Sequence, residues 1–459
     1  MCTAYGEGDF AKADRAIDKV LREETGIQTT ADLPETLAGN APLLVLEKGM
    51  IRLAMGDVDA ARNLFVRARD ALDQRFSHNT LDYVESSFTD DECLPYRGAD
   101  SDHLLVRGLL AVCELLRGSS DAYSFALQVD EKQEEILDSP LGTVDEQQYP
   151  GTTYRPREHY HRLALGAYLV GILEEADLAA GEANKKFRRA LEWSGGSDPL
   201  LQESIERTDP GGRFAPPGCG AVHVLYLAGR GPTLTTGKLE GLTDVARLIG
   251  AFILVARGKS TGAGWVSQTN IPVPQVVVHD SAVAPLDIHV AGQRVATTSS
   301  LADMNQIVAV QLEANMPWIV ARAAVRRALK GAMAEGTGIV AEGVAKGSEH
   351  VGRYAGFIGL FTKALVGAAT TAPERADTRT WSTLPAQIQA ARFVLPDGVH
   401  QIDLGPGMQA TLRVRAGKSS YLLVVRPRAD LPGAMIADVA SRQVGASNLQ
   451  LGAEALAAN

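Results

Sequence analysis

The sequence predicts an α+β multidomain protein, in which a tetratricopeptide-like helical superhelix precedes a mixed module of helices and strands. Residues 43–72 have the pattern of two amphipathic helices with one break, at Met55-Gly56-Asp57. The composition changes to glycine, proline and charge over 194–220, which indicates a boundary. Short segments that alternate apolar and polar residues follow between 222 and 426, as is typical of strands.

The helix pair at 43–72 has the spacing of a tetratricopeptide unit. The residues at the repeat offsets are Gly49, Gly56, Ala61, Phe65 and Ala68. Similar offsets recur near Gly8, Gly118 and Gly171, at intervals longer than the period of about 34 residues in a regular array. One such pair cannot bury its apolar face alone, so the units must stack. We therefore predict a degenerate superhelix over residues 3–195.

The rest of the chain divides into a linker, an α+β domain and a weakly ordered tail, at 196–220, 221–430 and 431–459. In the domain we predict strands within 222–297, helices within 301–371 and further strands within 388–426. The last strands are separated by tight turns and not by helices. They therefore predict a small antiparallel sandwich or sheet.

The helical part of this domain contains two features. Residues 301–333 predict one long helix, or two if Pro317 breaks it. Residues 335–371 are rich in glycine and alanine, which favours a closely packed helical hairpin. Arg353 and Lys363 interrupt its apolar run, which is shorter than the ~20 residues that span a bilayer. A peripheral membrane protein that uses this hairpin is an alternative.

Composition limits the classes of function. A formal net charge of −10 argues against nucleic-acid binding, because contact with phosphates requires a basic patch. The four cysteines are too few and too scattered for a disulfide framework or a zinc site. The sequence also has no C-x-x-C or H-E-x-x-H motif. We predict no metal, no cofactor and no catalytic residues.

Cys2 directly follows Met1, and no export signal precedes it in the sequence as written. Two interpretations remain open. Cys2 is the second residue of a cytoplasmic protein, or it is the lipidation site of a lipoprotein whose signal peptide has been removed. In the second case a lipid anchor would place the protein at a membrane.

Two glycine-lysine stretches come close to a nucleotide-binding loop. Gly231 to Lys238 follows a strand, but five residues separate Gly231 from Gly237 where a P-loop has four. Gly258 to Ser260 follows an apolar run but lacks the first glycine of the motif. A nucleotide-binding or hydrolase-type protein that uses either loop is therefore the alternative from another functional class.

Two rigid segments combine aromatic and charged side chains. Leu94 to Gly98 contains Tyr96 and Arg97, and residues 374–385 contain Arg375, Asp377, Arg379 and Trp381. The alternating charges predict an arginine-carboxylate network around Trp381. We interpret both segments as a structural clamp, with binding of a partner's carboxylate or strand as the alternative.

The chain resembles a family of uncharacterised bacterial proteins with a tetratricopeptide-like N-terminal half. Three segments carry the resemblance: LEKGMIRLAMGD at 46–57, LPYRG at 94–98, and ERADTRTWSTLPAQIQAARFVLPDGVH at 374–400. They occur in the same order and span most of the chain. The resemblance implies an exported lipoprotein, with Cys2 as its lipidation site, whose gene can lie beside those of envelope lipoproteins that assist penicillin-binding proteins. It implies no catalytic residues.

These observations predict a non-enzymatic protein-interaction scaffold, acting as an assembly or accessory factor of the bacterial cell envelope. We expect a protein partner in the groove of the helical superhelix, since stacked repeats present such surfaces. Oligomer formation is left open. The expected location is the periplasmic side of the envelope if Cys2 is processed, and the cytoplasm otherwise.

Overall fold

The computed structural model describes residues 1–28, 32–77, 95–139, 156–238, 272–281, 283–316, 319 and 375–442. Its helices are α1 (Cys2–Gly6), α2 (Phe10–Thr25), α3 (Ala41–Ala54), α4 (Val58–Ser77), α5 (Asp100–Arg117), α6 (Asp121–Asp138), α7 (Leu165–Ala176), α8 (Ala180–Trp193), α9 (Pro199–Thr208) and α10 (304–316). Its strands are β1 (Cys219–Ala228), β2 (Thr233–Lys238), β3 (Pro272–Val277), β4 (Asp287–Val290), β5 (Gln293–Thr297), β6 (Ser299–Asp303), β7 (Gln387–Pro396), β8 (Gly398–Asp403), β9 (Gln409–Val414), β10 (Ser419–Arg426) and β11 (Ala434–Ala437). This mixture of helices and sheets confirms the predicted α+β class.

Helices α1 to α9 form a stacked layer in which each helix contacts the next. The breaks between them depend on local backbone chemistry. Gly56 ends α3 with φ +82°, a conformation that glycine adopts without strain. Asp9 caps α2, because its carboxylate accepts the backbone N–H of Lys12 at 2.9 Å. The predicted break at Met55-Gly56-Asp57 is confirmed.

The first helix of each hairpin is buried nearly all round. In α3, α5 and α7 almost every residue is buried, whereas α4, α6 and α8 bury one side only. A helix that is apolar on every side must be covered on every side. Each of the three packs between the second helix of its own hairpin and the helix before it, and α3 and α5 also contact strands β11 and β10.

The strands form two larger sheets and a β2-β3 ribbon. The five-stranded sheet has the order β11-β10-β1-β7-β6, with β1 parallel to β10 and antiparallel to β7. The four-stranded sheet has the order β5-β4-β8-β9 and is antiparallel throughout. Parallel neighbours need a crossover of about a dozen residues or more, and the paired residues Leu225 and Leu423 are 198 positions apart.

Strand β1 joins the three layers of the fold. Its residues Leu225 and Leu227 belong to the same apolar core as the helices. Val222, Val224 and Tyr226 point the other way, into a second core shared with the four-stranded sheet. Since side chains alternate along a strand, one strand serves both cores. The layers are therefore helices, five-stranded sheet and four-stranded sheet.

Three predicted boundaries are wrong. The linker predicted over 196–220 contains α9, which Pro199 begins and the Asp198 carboxylate caps by accepting the Leu201 N–H at 3.0 Å. The helix predicted from residue 301 begins at 304, because residues up to Asp303 belong to β6. The tail predicted from residue 431 contains β11, which pairs with β10, and a helical turn over 439–442.

The strands of 388–426 do not form a sheet of their own. Strands β7 and β10 pair with β1, whereas β8 and β9 join β4. The helical and sheet halves also share one apolar core, so residues 3–195 do not pack as a separate unit. The reason is that α3, α5 and α7 also carry apolar residues on the side that the neighbouring helices leave open. The sheet covers that side.

Most of the loop predicted at Gly231 to Lys238 is strand β2. Its residues pair with β3 from Thr233 opposite Val277 to Lys238 opposite Pro272. Backbone N–H groups of a paired strand point sideways along the sheet and do not converge on one phosphate. The Gly258 to Ser260 loop and the 335–371 hairpin lie outside the described residues. Within the described ranges, no helix is both long and apolar enough to cross a membrane.

Candidate functional site

Residues 375–384, the clamp segment, pack against the helical layer. Trp381 is completely buried, and its ring lies 6.1 Å from that of Phe65 on α4 in a tilted arrangement. The indole Nε1 donates a hydrogen bond to the Thr383 hydroxyl at 3.0 Å. A buried tryptophan therefore has both its apolar face and its polar atom satisfied.

The clamp segment is anchored by a buried carboxylate on α3. Glu47 Oε1 accepts the backbone N–H of Ser382 at 2.6 Å, and Oε2 accepts that of Thr383 at 3.1 Å. Burial raises the pKa of Glu47, and these hydrogen bonds offset part of that rise. Both carboxylate oxygens are thereby used to hold a turn of the same chain.

A second set of contacts holds the start of the segment. The Arg379 guanidinium pairs with Asp377 at 2.7 Å and donates to Asn40 Oδ1 at 2.8 Å. Its Cζ lies 5.8 Å from the centre of the Tyr96 ring. The Tyr96 hydroxyl donates to Asp102, and burial followed by the Asp102 charge raises the pKa of Tyr96. This arginine therefore links three separate parts of the chain.

The structure brings the candidate residues of both predicted segments into one place. Tyr96, Asp377, Arg379 and Trp381 form the contacts above. Arg97 contributes its carbonyl oxygen, which lies 3.0 Å from His103 Nε2, and Arg375 lies at the exposed start of the segment. The geometry is that of a clamp between helices and sheet.

Cys2 belongs to the same site. It lies in α1, is partly buried, and its Sγ is 3.1 Å from the Ser382 hydroxyl. In this conformation the thiol is therefore part of the clamp contact.

Sequence reasoning missed Glu47, although a signal for it exists. Glu47 and Lys48 are adjacent charged residues in the middle of a mostly apolar helix. Buried charges require partners. Lys48 binds Asp14 at 3.2 Å and also contacts Asp18, so the outer side of α3 is paired with α2. Charged residues in the middle of a mostly apolar helix thus indicate where that helix contacts polar groups of other segments.

A second candidate site is an open cleft of about 430 Å³ at the far end of the helical layer. It is bounded by α6, α8 and the segment before α7, and its lining residues are Glu134, Tyr160, His161, Arg162, Arg189, Glu192 and Trp193. None of them stands out in the sequence as a functional residue. Trp193 is the last residue of the strongly amphipathic helix α8. A tryptophan at that position was the feature of the sequence that could have indicated the cleft.

Trp193 is the centre of this cleft. The Arg162 guanidinium lies 5.2 Å from its ring and that of Arg189 lies 5.6 Å from it. Arg162 also pairs with Glu134 across the cleft, and Arg189 is half exposed. The cleft therefore offers an aromatic face, two guanidinium groups and carboxylates at one exposed place.

In the part of the chain that the structure describes, no group of three or more His, Cys, Asp or Glu residues is arranged to hold a metal ion. A scan of protein-family models finds no match to the sequence, and searches of curated proteins and of solved structures find none either.

Proposed function

We propose that this chain is a non-enzymatic scaffold that binds a protein partner at the cleft around Trp193. The observation that carries the proposal is the composition of that cleft. Tryptophan, tyrosine and arginine dominate the binding energy of protein interfaces, and here all three line one open surface. The exposed carboxylate of Glu192 gives a cation of the partner a place to bind.

The helical layer supports the scaffold role through a repeated packing unit. A Cβ added to Gly49 would lie 2.5 Å from the Phe65 ring, and one added to Gly171 would lie 2.6 Å from the Phe187 ring. The same glycine-to-phenylalanine contact thus closes two hairpins, α3/α4 and α7/α8. This favours a tetratricopeptide-like relation between the hairpins. Folds built from such stacked repeats commonly present binding surfaces.

The proposed binding surface differs from the groove expected from the sequence. The sides of α3, α5 and α7 that a repeat array would offer to a partner pack here against the chain's own sheet and against Trp381. A partner in that groove would have to displace these apolar contacts. The cleft at Trp193 is open without any such displacement.

A pull-down from bacterial envelope extracts tests the proposal. The tagged full-length chain is compared with Trp193→Ala and Glu192→Lys, and we expect both variants to lose the captured partner. Glu206→Lys, an exposed charge reversal on α9 away from the cleft, is the matched control. Equal capture by all four proteins, or no partner at all, would refute the proposal.

The envelope location is a further part of this proposal and rests on the resemblance of the sequence. It concerns a sulfur that contacts the Ser382 hydroxyl in this structure. Metabolic labelling with a radioactive fatty acid, with Cys2→Ser as control, tests it in bacteria that express the gene with its natural upstream sequence. Absence of Cys2-dependent label would remove the lipid anchor from the proposal.

A further inference from the structure

The helix-facing side of the five-stranded sheet holds a group of polar side chains that neither the clamp nor the cleft uses. Glu175 on α7, Arg207 on α9 and Arg392 on β7 meet there, with side chains 3%, 10% and 4% exposed. Glu175 Oε1 accepts from Arg207 Nε at 2.6 Å and from Arg392 Nη2 at 3.2 Å. With Tyr168 and His223, these residues are called the basic cluster below.

The basic cluster contains more positive than negative charge. Two guanidinium groups share the single carboxylate of Glu175. Glu203 Oε1 lies 3.7 Å from Arg207 Nη1, but its side chain is 66% exposed, so water screens its charge. Burial lowers the pKa of Arg392 to about 10 even though Glu175 opposes that shift. The buried charge is therefore incompletely compensated.

The basic cluster also has too few hydrogen-bond acceptors. Arg392 Nε, Arg207 Nη1, the Tyr168 hydroxyl and both ring nitrogens of His223 are buried without a hydrogen-bond partner in the described structure. A neutral imidazole carries one N–H, so the four side chains offer four such donors. A buried donor without an acceptor costs free energy. The basic cluster thus has both an excess of positive charge and an excess of hydrogen-bond donors.

These groups lie close to one another. His223 on β1 is the direct cross-strand partner of Arg392 on β7. Tyr168 precedes Glu175 by seven positions on α7, so the two side chains lie on the same side of that helix. On its other side, the His223 ring stacks on Tyr421 with centroids 5.6 Å apart. The unused donors therefore lie at one contact between α7, α9 and the sheet.

We propose that the basic cluster binds a small inorganic anion of the chloride class. One such ion supplies both missing quantities, a negative charge beside the two guanidinium groups and an acceptor for the unused donors. A water molecule would supply an acceptor but no charge. A monatomic ion suits the site better than an organic acid, because the side chains that would surround it are almost wholly buried.

Bromide, a heavier analogue of chloride, is the probe. The full-length chain is kept in gluconate at constant pH and ionic strength, and gluconate is replaced stepwise by bromide while Tm is measured. Because a ligand that binds only the folded state stabilises it, we expect a saturating rise in Tm of about 2 °C or more. Arg392→Gln should abolish this rise. Arg428→Gln, at an exposed arginine paired with Asp430, should retain it.

A crystal grown in bromide gives an independent readout. We expect an anomalous peak between Arg207, Arg392 and Tyr168. If Arg392→Gln does not fold, Tyr168→Phe removes one donor and keeps the charge, so it should weaken the effect of bromide on Tm several-fold. Any of three results would overturn the proposal. These are density at the cluster without an anomalous signal, equal Tm in gluconate and bromide, and a rise in Tm with phosphate but not with bromide.

Discussion

The clamp site, where Glu47 binds the clamp segment, and the basic cluster both contain buried charge. They differ in how completely the chain compensates that charge. In the clamp site, Glu47 is the buried charge, and each of its oxygens accepts one backbone N–H from the clamp segment. In the basic cluster, Arg207 and Arg392 share one carboxylate and leave several donors without acceptors. The first site is complete within the chain, and the second is not.

This difference indicates different roles for two parts of one interface. A buried carboxylate that receives two hydrogen bonds fixes the position of the segment that donates them. A buried excess of donors and positive charge is costly, and the chain retains it at the centre of the sheet. The clamp therefore accounts for how the layers are held together. The basic cluster is where their stability should depend on solution conditions.

Removing the clamp tryptophan should have the largest effect. Trp381→Ala leaves a cavity against Phe65 and frees the Thr383 hydroxyl, so we expect a loss of about 3–5 kcal/mol in the free energy of unfolding. Urea unfolding followed by circular dichroism measures it. Trp193→Ala, at the partly exposed tryptophan of the cleft, is the matched control and should cost about 1 kcal/mol or less. Equal losses would show that Trp381 does not fix the two layers.

The Glu47 carboxylate provides a finer test of the same site. Glu47→Gln replaces one acceptor oxygen by an NH₂ group that faces a backbone N–H donor, so one buried donor loses its partner. We expect a loss of about 1–3 kcal/mol. Glu23→Gln, which removes an exposed charge paired with Lys19, should change stability by no more than about 0.5 kcal/mol. If both variants are equally stable, the two N–H bonds do not anchor the segment.

The sequence predicted one side of the clamp and not the other, for a physical reason. The spacing around Arg379 and Trp381 is unusual enough to stand out locally. Glu47 lies 335 positions before Ser382, and a single sequence carries no signal of which distant groups pair. Parallel pairing of β1 with β10 was missed for the same reason, because the alternation of apolar residues does not give strand order.

The helical layer shows where a stronger local signal was available. Helices α3 and α5 are buried on nearly every side, although charged residues such as Glu47 and Glu114 interrupt their apolar sequences. Apolar residues on more than one side of a helix indicate a second covering layer, whereas the pattern was interpreted as amphipathic, which predicted an open groove. His223 and Arg392 were also visible as polar residues at inward positions of apolar strands, a pattern that indicates a buried polar cluster.

The glycine-phenylalanine contacts that close two of the hairpins give the next prediction. Gly49→Ala and Gly171→Ala place a Cβ 2.5 Å and 2.6 Å from the rings of Phe65 and Phe187, so each should cost about 1–3 kcal/mol. Gly181→Ala, in α8, meets nothing within 4 Å and should stabilise the protein by up to about 1 kcal/mol. Thermal unfolding of the three variants compares them. A similar cost for all three would contradict the repeated contact as the closing element of the hairpins.

The pH dependence of His223 should be the smallest effect, and it probes the basic cluster directly. Burial, followed by Arg392 and Arg207, lowers the pKa of His223 well below 6.5. Below pH 6.5 the unfolded chain therefore binds a proton that the folded chain does not. Its contribution to stability is present above pH 6.5 and decreases by about 1.4 kcal/mol per pH unit as the pH falls.

The comparison of wild type with His223→Phe isolates this contribution from the carboxyl groups with raised pKa, such as Glu47, which act in the opposite direction. Phenylalanine keeps the ring that stacks on Tyr421 and removes the titrating nitrogens. Urea unfolding between pH 7.5 and 5.5, with gluconate as the anion, should show wild type losing about 1 kcal/mol more than the variant. If bromide binds the cluster, its negative charge favours the imidazolium and should reduce that difference. Parallel pH curves for the two proteins in gluconate would mean that His223 takes up its proton in the folded state, and that the cluster already contains the missing negative charge.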